Sequence, residues 1–140
     1  MKPFPIARIA LFAAGILALL AACSPVAGDP LKGTSWSLLK MNGRSVLEGT
    51  TVTASFADGN VSGSGGCNSY GGAYKVNGDK LQIKEIVSTL MACADTGVMD
   101  QEAAFLSALG NSQSFKLTGG QLQVVAADGQ ALTFAAGVPK

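Results

Sequence analysis

Tyr70-Gly71-Gly72-Ala73-Tyr74-Lys75-Val76-Asn77-Gly78-Asp79-Lys80-Leu81-Gln82-Ile83-Lys84-Glu85-Ile86 reads as two strands around one tight turn. Lys80, Gln82 and Lys84 alternate with Leu81 and Ile83, the period-two pattern of a strand with one face buried. Asn77-Gly78-Asp79 supplies residues that tolerate the positive φ of a hairpin turn. The same grammar recurs on both sides. Thr34 to Met41 carries the lone Trp36 and ends at Asn42-Gly43, and Thr51 to Phe56 alternates polar with apolar up to Asp58-Gly59. Asn60-Val61-Ser62 follows that turn. Ser114 to Thr118, Gln121 to Val125 and Ala131 to Phe134 repeat the pattern around Gly119-Gly120 and Asp128-Gly129. Short strands at this spacing, with no alternation of strand and helix, predict a mainly β, antiparallel, closed or nearly closed barrel.

One helix interrupts the strands. Asp95 or Thr96 is positioned to cap it and Gly110 to end it. Helical spacing places Val98, Met99, Ala103, Phe105, Leu106 and Leu109 on one broad stripe, with Asp100, Gln101 and Ser107 opposite. Glu102 falls inside the apolar stripe. Two readings account for it: the carboxylate snorkels out to water, or Arg44 holds it. Such a helix would cover apolar surface on the barrel wall or across one end.

Upstream of the strands the chain changes character. Lys2 and Arg8 precede an unbroken apolar run from Ile9 to Leu20, too short to span a bilayer comfortably. The run leads into Leu20-Ala21-Ala22-Cys23, which resembles the lipobox of bacterial lipoproteins. That resemblance implies a signal peptide over residues 1–22, lipidation of Cys23 and cleavage before it. Ala21-Ala22 could also serve an ordinary secretory cleavage site. Residues 23–30, with two prolines and a glycine, read as a lipidated terminus and flexible tether, and residues 31–140 as one domain. Ser24 is not the aspartate that retains lipoproteins in the inner membrane. The expected location is therefore the outer membrane, lipid-anchored and facing the periplasm.

Composition narrows the chemistry. The chain has 140 residues and no histidine. That removes Ser-His-Asp and Cys-His catalysis and histidine zinc sites. After cleavage, 8 basic residues face 9 acidic ones without any run of like charge, so a nucleic-acid partner is not expected. Asp58, Asp79 and Asp128 belong to turns, and Glu48, Glu85 and Glu102 are far apart in sequence, so no acid/base pair can be read. No catalytic residue, cofactor or metal is expected.

Gly63-Ser64-Gly65-Gly66-Cys67-Asn68-Ser69-Tyr70-Gly71-Gly72-Ala73-Tyr74 lacks the Lys-Ser/Thr and following helix of a phosphate loop. Its small residues let the backbone bend sharply or approach another strand closely. Gly65, Gly66, Asn68, Tyr70 and Tyr74 form the candidate structural or binding loop, with Asn68 expected to bond locally to its own bend. Together with Ser88-Thr89-Leu90-Met91-Ala92-Cys93, Trp36, Phe56, Glu102, Phe105 and Leu109, the segment resembles the META domain family, also called HslJ-like proteins. The resemblance spans roughly Leu31 to Phe134. It implies a lipocalin-like β-barrel with one α-helix, no established catalytic residues, and association with heat-shock response, envelope integrity and novobiocin resistance.

With Cys23 lipidated, Cys67 and Cys93 remain as a pair in an oxidising compartment. A disulfide would bring the glycine-rich loop beside the end of a Ser88 to Cys93 strand, with Cα atoms within about 7 Å. The alternatives are two buried thiols, or a soft-metal site with Met91. The functional expectation is a non-enzymatic envelope lipoprotein, a stress-response or envelope-integrity binding module, whose partners are the membrane through Cys23 and an unidentified envelope protein or small ligand. A small apolar ligand carrier and an inhibitor-like partner-binding barrel are the rivals.

Overall fold

Tight turns set the strand pairing. Asp58 and Gly59 both take positive φ, 48° and 78°, and join their strands through a two-residue loop whose twist matches the sheet. The computed structural model describes residues 28–137. The signal-peptide stretch, Cys23 and the tether up to residue 27 lie outside them. The strands are β1 (Thr34–Met41), β2 (Arg44–Ser45), β3 (Thr53–Ala57), β4 (Asn60–Ser64), β5 (Ser69–Asn77) and β6 (Lys80–Ser88). After α1 (Val98–Gly110) come β7 (Ser112–Thr118), β8 (Gln121–Ala126) and β9 (Ala131–Ala136).

All pairings are antiparallel and run in the order β2-β1-β3-β4-β5-β6-β7-β8-β9. β1 also pairs with β9, from Trp36 opposite Ala136 to Met41 opposite Leu132. That pairing closes an eight-stranded, lipocalin-like barrel, with the short β2 as an appendage. The seam between β6 and β7 is narrow, a single partner pair, Lys80 with Ser114.

Alternation delivers Leu38, Ala54, Phe56, Val61, Leu81, Ile83, Leu122, Val124, Leu132 and Phe134 to the interior, each at most 4% exposed. The helix lies over one mouth. Phe105 reaches in between Tyr70 and Phe134, with ring centroids 5.5 and 6.4 Å away in edge-on contacts. At the other end Phe56 and Tyr74 meet at 4.9 Å, and Leu31, fully buried, joins the same core. The chain enters at this second end. The Gly33 N–H bonds to the Phe56 carbonyl, and Lys32 pairs with Asp58 at 3.2 Å.

Four expectations are corrected here. The helix has no side-chain cap: Gly97, in the left-handed conformation, occupies the position, and neither Asp95 nor Thr96 caps through its side chain. The buried face is Val98, Gln101, Glu102, Phe105, Ala108 and Leu109, while Met99 and Ala103 are exposed. It is rotated from the apolar stripe because two of its polar members find partners inside. Residues Thr89 to Gly97 form a loop, not a continuation of β6. Asp29 is not loose tether: its carboxylate accepts bonds from the Leu31 N–H and the Tyr74 hydroxyl.

Candidate functional site: a buried carboxylate that holds an exposed loop

The glycine-rich bend between β4 and β5 passes directly over α1, and glycine is what permits the approach. A Cβ on Gly65 would stand 2.7 Å from Glu102 Oε2, and Gly66 takes φ +118°, which disfavours side chains. One strand away, a Cβ on Gly63 would meet the Thr53 carbonyl oxygen at 2.2 Å. Close backbone approach is thus what this segment provides.

The approach places Glu102, 5% exposed, under the bend. Its Oε2 accepts the N–H of Cys67 at 2.9 Å and of Asn68 at 2.6 Å, and its Oε1 accepts Asn68 Nδ2 at 2.7 Å. Burial pushes the carboxyl pKa up, but the backbone and side-chain donors of Asn68, with the Cys67 N–H, hold it below its ordinary value. The charge is therefore balanced by N–H dipoles rather than by a cation. Glu102 neither snorkels nor pairs with Arg44, whose strand is exposed.

Asn68 passes the restraint on. Its Nδ2 also donates to the Met91 carbonyl at 3.1 Å, and its Oδ1 accepts the Met91 N–H at 2.7 Å and the Thr89 hydroxyl at 2.8 Å. The side-chain amide thus imitates a peptide group and extends the β5–β6 ladder one step onto the loop. The Thr89 N–H bonds to the Ser69 carbonyl beside it. The Asn68 side chain is consequently tied to residues more than twenty positions away, while only its backbone carbonyl, accepting the Gly65 N–H at 2.7 Å, closes the bend itself. A disulfide between Cys67 and Cys93, with Cα atoms 5.9 Å apart, fastens the same loop covalently.

What the clamp presents is apolar. Leu90 is 95% exposed and Met91 56%, although Met91 has its backbone locked from both sides. Met91 is therefore neither core nor in a strand, and the two sulfurs beside it are bonded to each other.

Tyr70 and Tyr74 point the other way, into the barrel. The Tyr70 hydroxyl donates to the Thr53 carbonyl at 2.8 Å and the Tyr74 hydroxyl to Asp29. Burial raises both phenol pKa values, and Asp29 raises that of Tyr74 further. Neither phenol is a contact group at the loop surface. Gln101 makes a second clamp beside Glu102. Its Oε1 accepts the Leu47 N–H at 2.7 Å and its Nε2 donates to Thr50 Oγ1 at 3.0 Å, holding the segment after β2. The rim there bounds an open depression of about 520 Å³ lined by Met41, Asn42, Arg44, Ser45, Leu47, Gly97 and Gln101. Among the described residues, no three His, Cys, Asp or Glu side chains group as a metal site.

Sequence reasoning missed the Glu102–Asn68–Met91 connection and the Gln101 clamp. The available signal was Glu102 itself, an acid inside an apolar stripe with a single arginine left in the mature chain to pair with it. A buried carboxylate can be satisfied by N–H groups instead, and those are invisible as residue types.

The architecture defines a class, the closed antiparallel barrel plugged by one helix, and comparison with known proteins refines it. The META domain family matches residues 29–138, and the chain belongs to that family. Among solved structures, a protein from Burkholderia xenovorans determined by NMR is 29% identical. The match has a TM-score of 0.66 and covers 78% of this chain and 85% of that one. A second NMR structure is 28% identical at a TM-score of 0.62, covering 75% and 90%. A duf4847 family protein from Bacteroides vulgatus shares the fold at 14% identity and a TM-score of 0.59, covering 79% and 97%. No curated protein matches the chain.

Proposed function

We propose that this META domain works without catalysis, as a binding module of the bacterial envelope carried on a lipid anchor at Cys23. The observation that carries the reading is the destination of the polar network. Glu102 fixes the backbone of Cys67 and Asn68 and the Asn68 amide, and that amide in turn holds Thr89 and Met91, leaving a displayed loop as the product of the arrangement. A general acid or base needs a carboxylate free to exchange its proton with a substrate, and this one is enclosed and fully bonded. Favouring a binding module over an apolar carrier is the interior, where Phe56, Phe105 and Phe134, each at most 1% exposed, fill the space a ligand would need. A role in envelope integrity under heat or novobiocin stress belongs to the same proposal by family resemblance, and placement in the outer membrane by the lipobox resemblance with Ser24 after Cys23.

The test is fractionation and challenge of a strain lacking the protein, complemented with the wild-type chain or with Cys23→Ala. The wild type should pellet with outer membranes and restore growth under stress, and Cys23→Ala should remain soluble. Equal solubility of the two proteins would sink the anchor. Full rescue by a variant that unclamps the loop, such as Asn68→Ala, would sink the binding module.

A further inference from the structure

Among the described residues, seven large apolar side chains are exposed, and five belong to the helix end of the barrel: Leu47, Val87, Leu90, Met91 and Met99. Leu90 and Val87 are the extremes at 95% and 71% exposure. Scattered apolar residues are ordinary on a surface, but Leu90 and Met91 stand exposed side by side on the clamped loop, with Val87 at the end of β6 just before it. The disulfide and the Asn68 amide fix that loop from two directions, so little conformational entropy remains to be lost when something covers it.

Charge selects among possible occupants. From Ile86 to Asp100 the only ionic side chains are Asp95 and Asp100, both exposed. An anionic lipid surface is attracted by flanking lysine or arginine and repelled by this pattern. A second copy would offer no lysine or arginine from this stretch to meet the two acids. The described chain enters the barrel at the opposite end, where Asp29 and Lys32 dock onto Tyr74 and Asp58.

We propose that Val87, Leu90 and Met91, flanked by Asp95 and Asp100, form the docking face for an envelope protein offering an apolar cleft with a basic rim. The proposal rests on the binding-module reading and names its surface and the chemistry of its partner. Leu90 is the anchor that enters the cleft, and the two aspartates steer the approach.

In-cell photo-crosslinking with the full, anchored chain tests it. A photoreactive phenylalanine analogue replaces Leu90 in one strain and Asn77, in the far-end turn, in another. Both positions are exposed, so neither replacement disturbs the core, and melting curves check that. The expected result is one protein adduct of discrete mass from Leu90 and none of it from Asn77. Adding Asp95→Lys and Asp100→Lys should reduce the adduct about tenfold while the domain stays folded. A lipid adduct, a homodimer, or an adduct indifferent to charge reversal would overturn the proposal. An adduct from Asn77 alone would overturn this surface yet keep the binding module, and no adduct from either position would count against both.

Discussion

Glu102 shows how one residue can carry a negative charge in a barrel without a positive partner. Three N–H donors do the work of a cation, and they do it only while the carboxylate is ionised. Its folded-state pKa lies below the ordinary value of 4.5, so ionised Glu102 contributes stability that is fully present above that value. The contribution is lost as pH falls through the lower folded-state value. Glu102→Gln places an amide NH₂ against N–H donors and should cost about 2–3 kcal/mol at neutral pH. It should also flatten the part of the stability–pH curve below about pH 4.5 that belongs to this residue. Urea titrations of both proteins at pH 3 to 7 measure this, and parallel curves would show that Glu102 is not the titrating group. Asn68→Ala should be at least as damaging, about 3 kcal/mol, because it strands one oxygen of Glu102 and both polar groups of Met91.

At the level of elements, the Thr89–Cys93 loop is held by two clamps of different kinds, and they should fail differently. The disulfide encloses a separation of 26 residues and restricts mainly the unfolded chain, worth about 3–4 kcal/mol in the entropic model. The Asn68 amide acts on the folded loop directly. Cys93→Ser should therefore lower global stability while the Met91 amide keeps its protection against hydrogen exchange. Asn68→Ala should expose that amide with the disulfide intact. Equal deprotection in both variants would mean that the sulfur bridge alone holds the loop. This difference also explains what was legible in the sequence. Strands β1 and β3 to β9 could be read because alternation and turn residues such as Asn42-Gly43 and Asp58-Gly59 are local signals. The buried helix face could not, since Gln101 and Glu102 face inward only because Leu47, Thr50, Cys67 and Asn68 wait there, more than thirty residues away. Asp29 reads as tether for the same reason, its partner Tyr74 lying 45 residues downstream.

The molecule as a whole divides its labour between two ends. The end where the described chain enters is tied down by Leu31, Asp29 and Lys32, and the helix end carries the clamped loop with the exposed Leu90 and Met91. Between them Phe56, Phe105 and Phe134 fill the barrel interior. Phe105 is the keystone of that filling: it comes from the helix, is fully buried, and touches Tyr70 on β5 and Phe134 on β9. Removing its ring leaves a void that surrounding strands can close only in part, so Phe105→Ala should cost about 3–5 kcal/mol. The void should be dry and able to admit benzene or xenon, since its neighbours are mostly apolar. The wild-type protein, by contrast, should leave fatty-acid and naphthyl fluorescent probes unbound at micromolar concentration. Probe titration and melting with and without benzene distinguish the cases. Saturable probe uptake by the wild-type barrel would show that the plug moves aside, and the apolar carrier would then replace the displayed loop as the account of this domain.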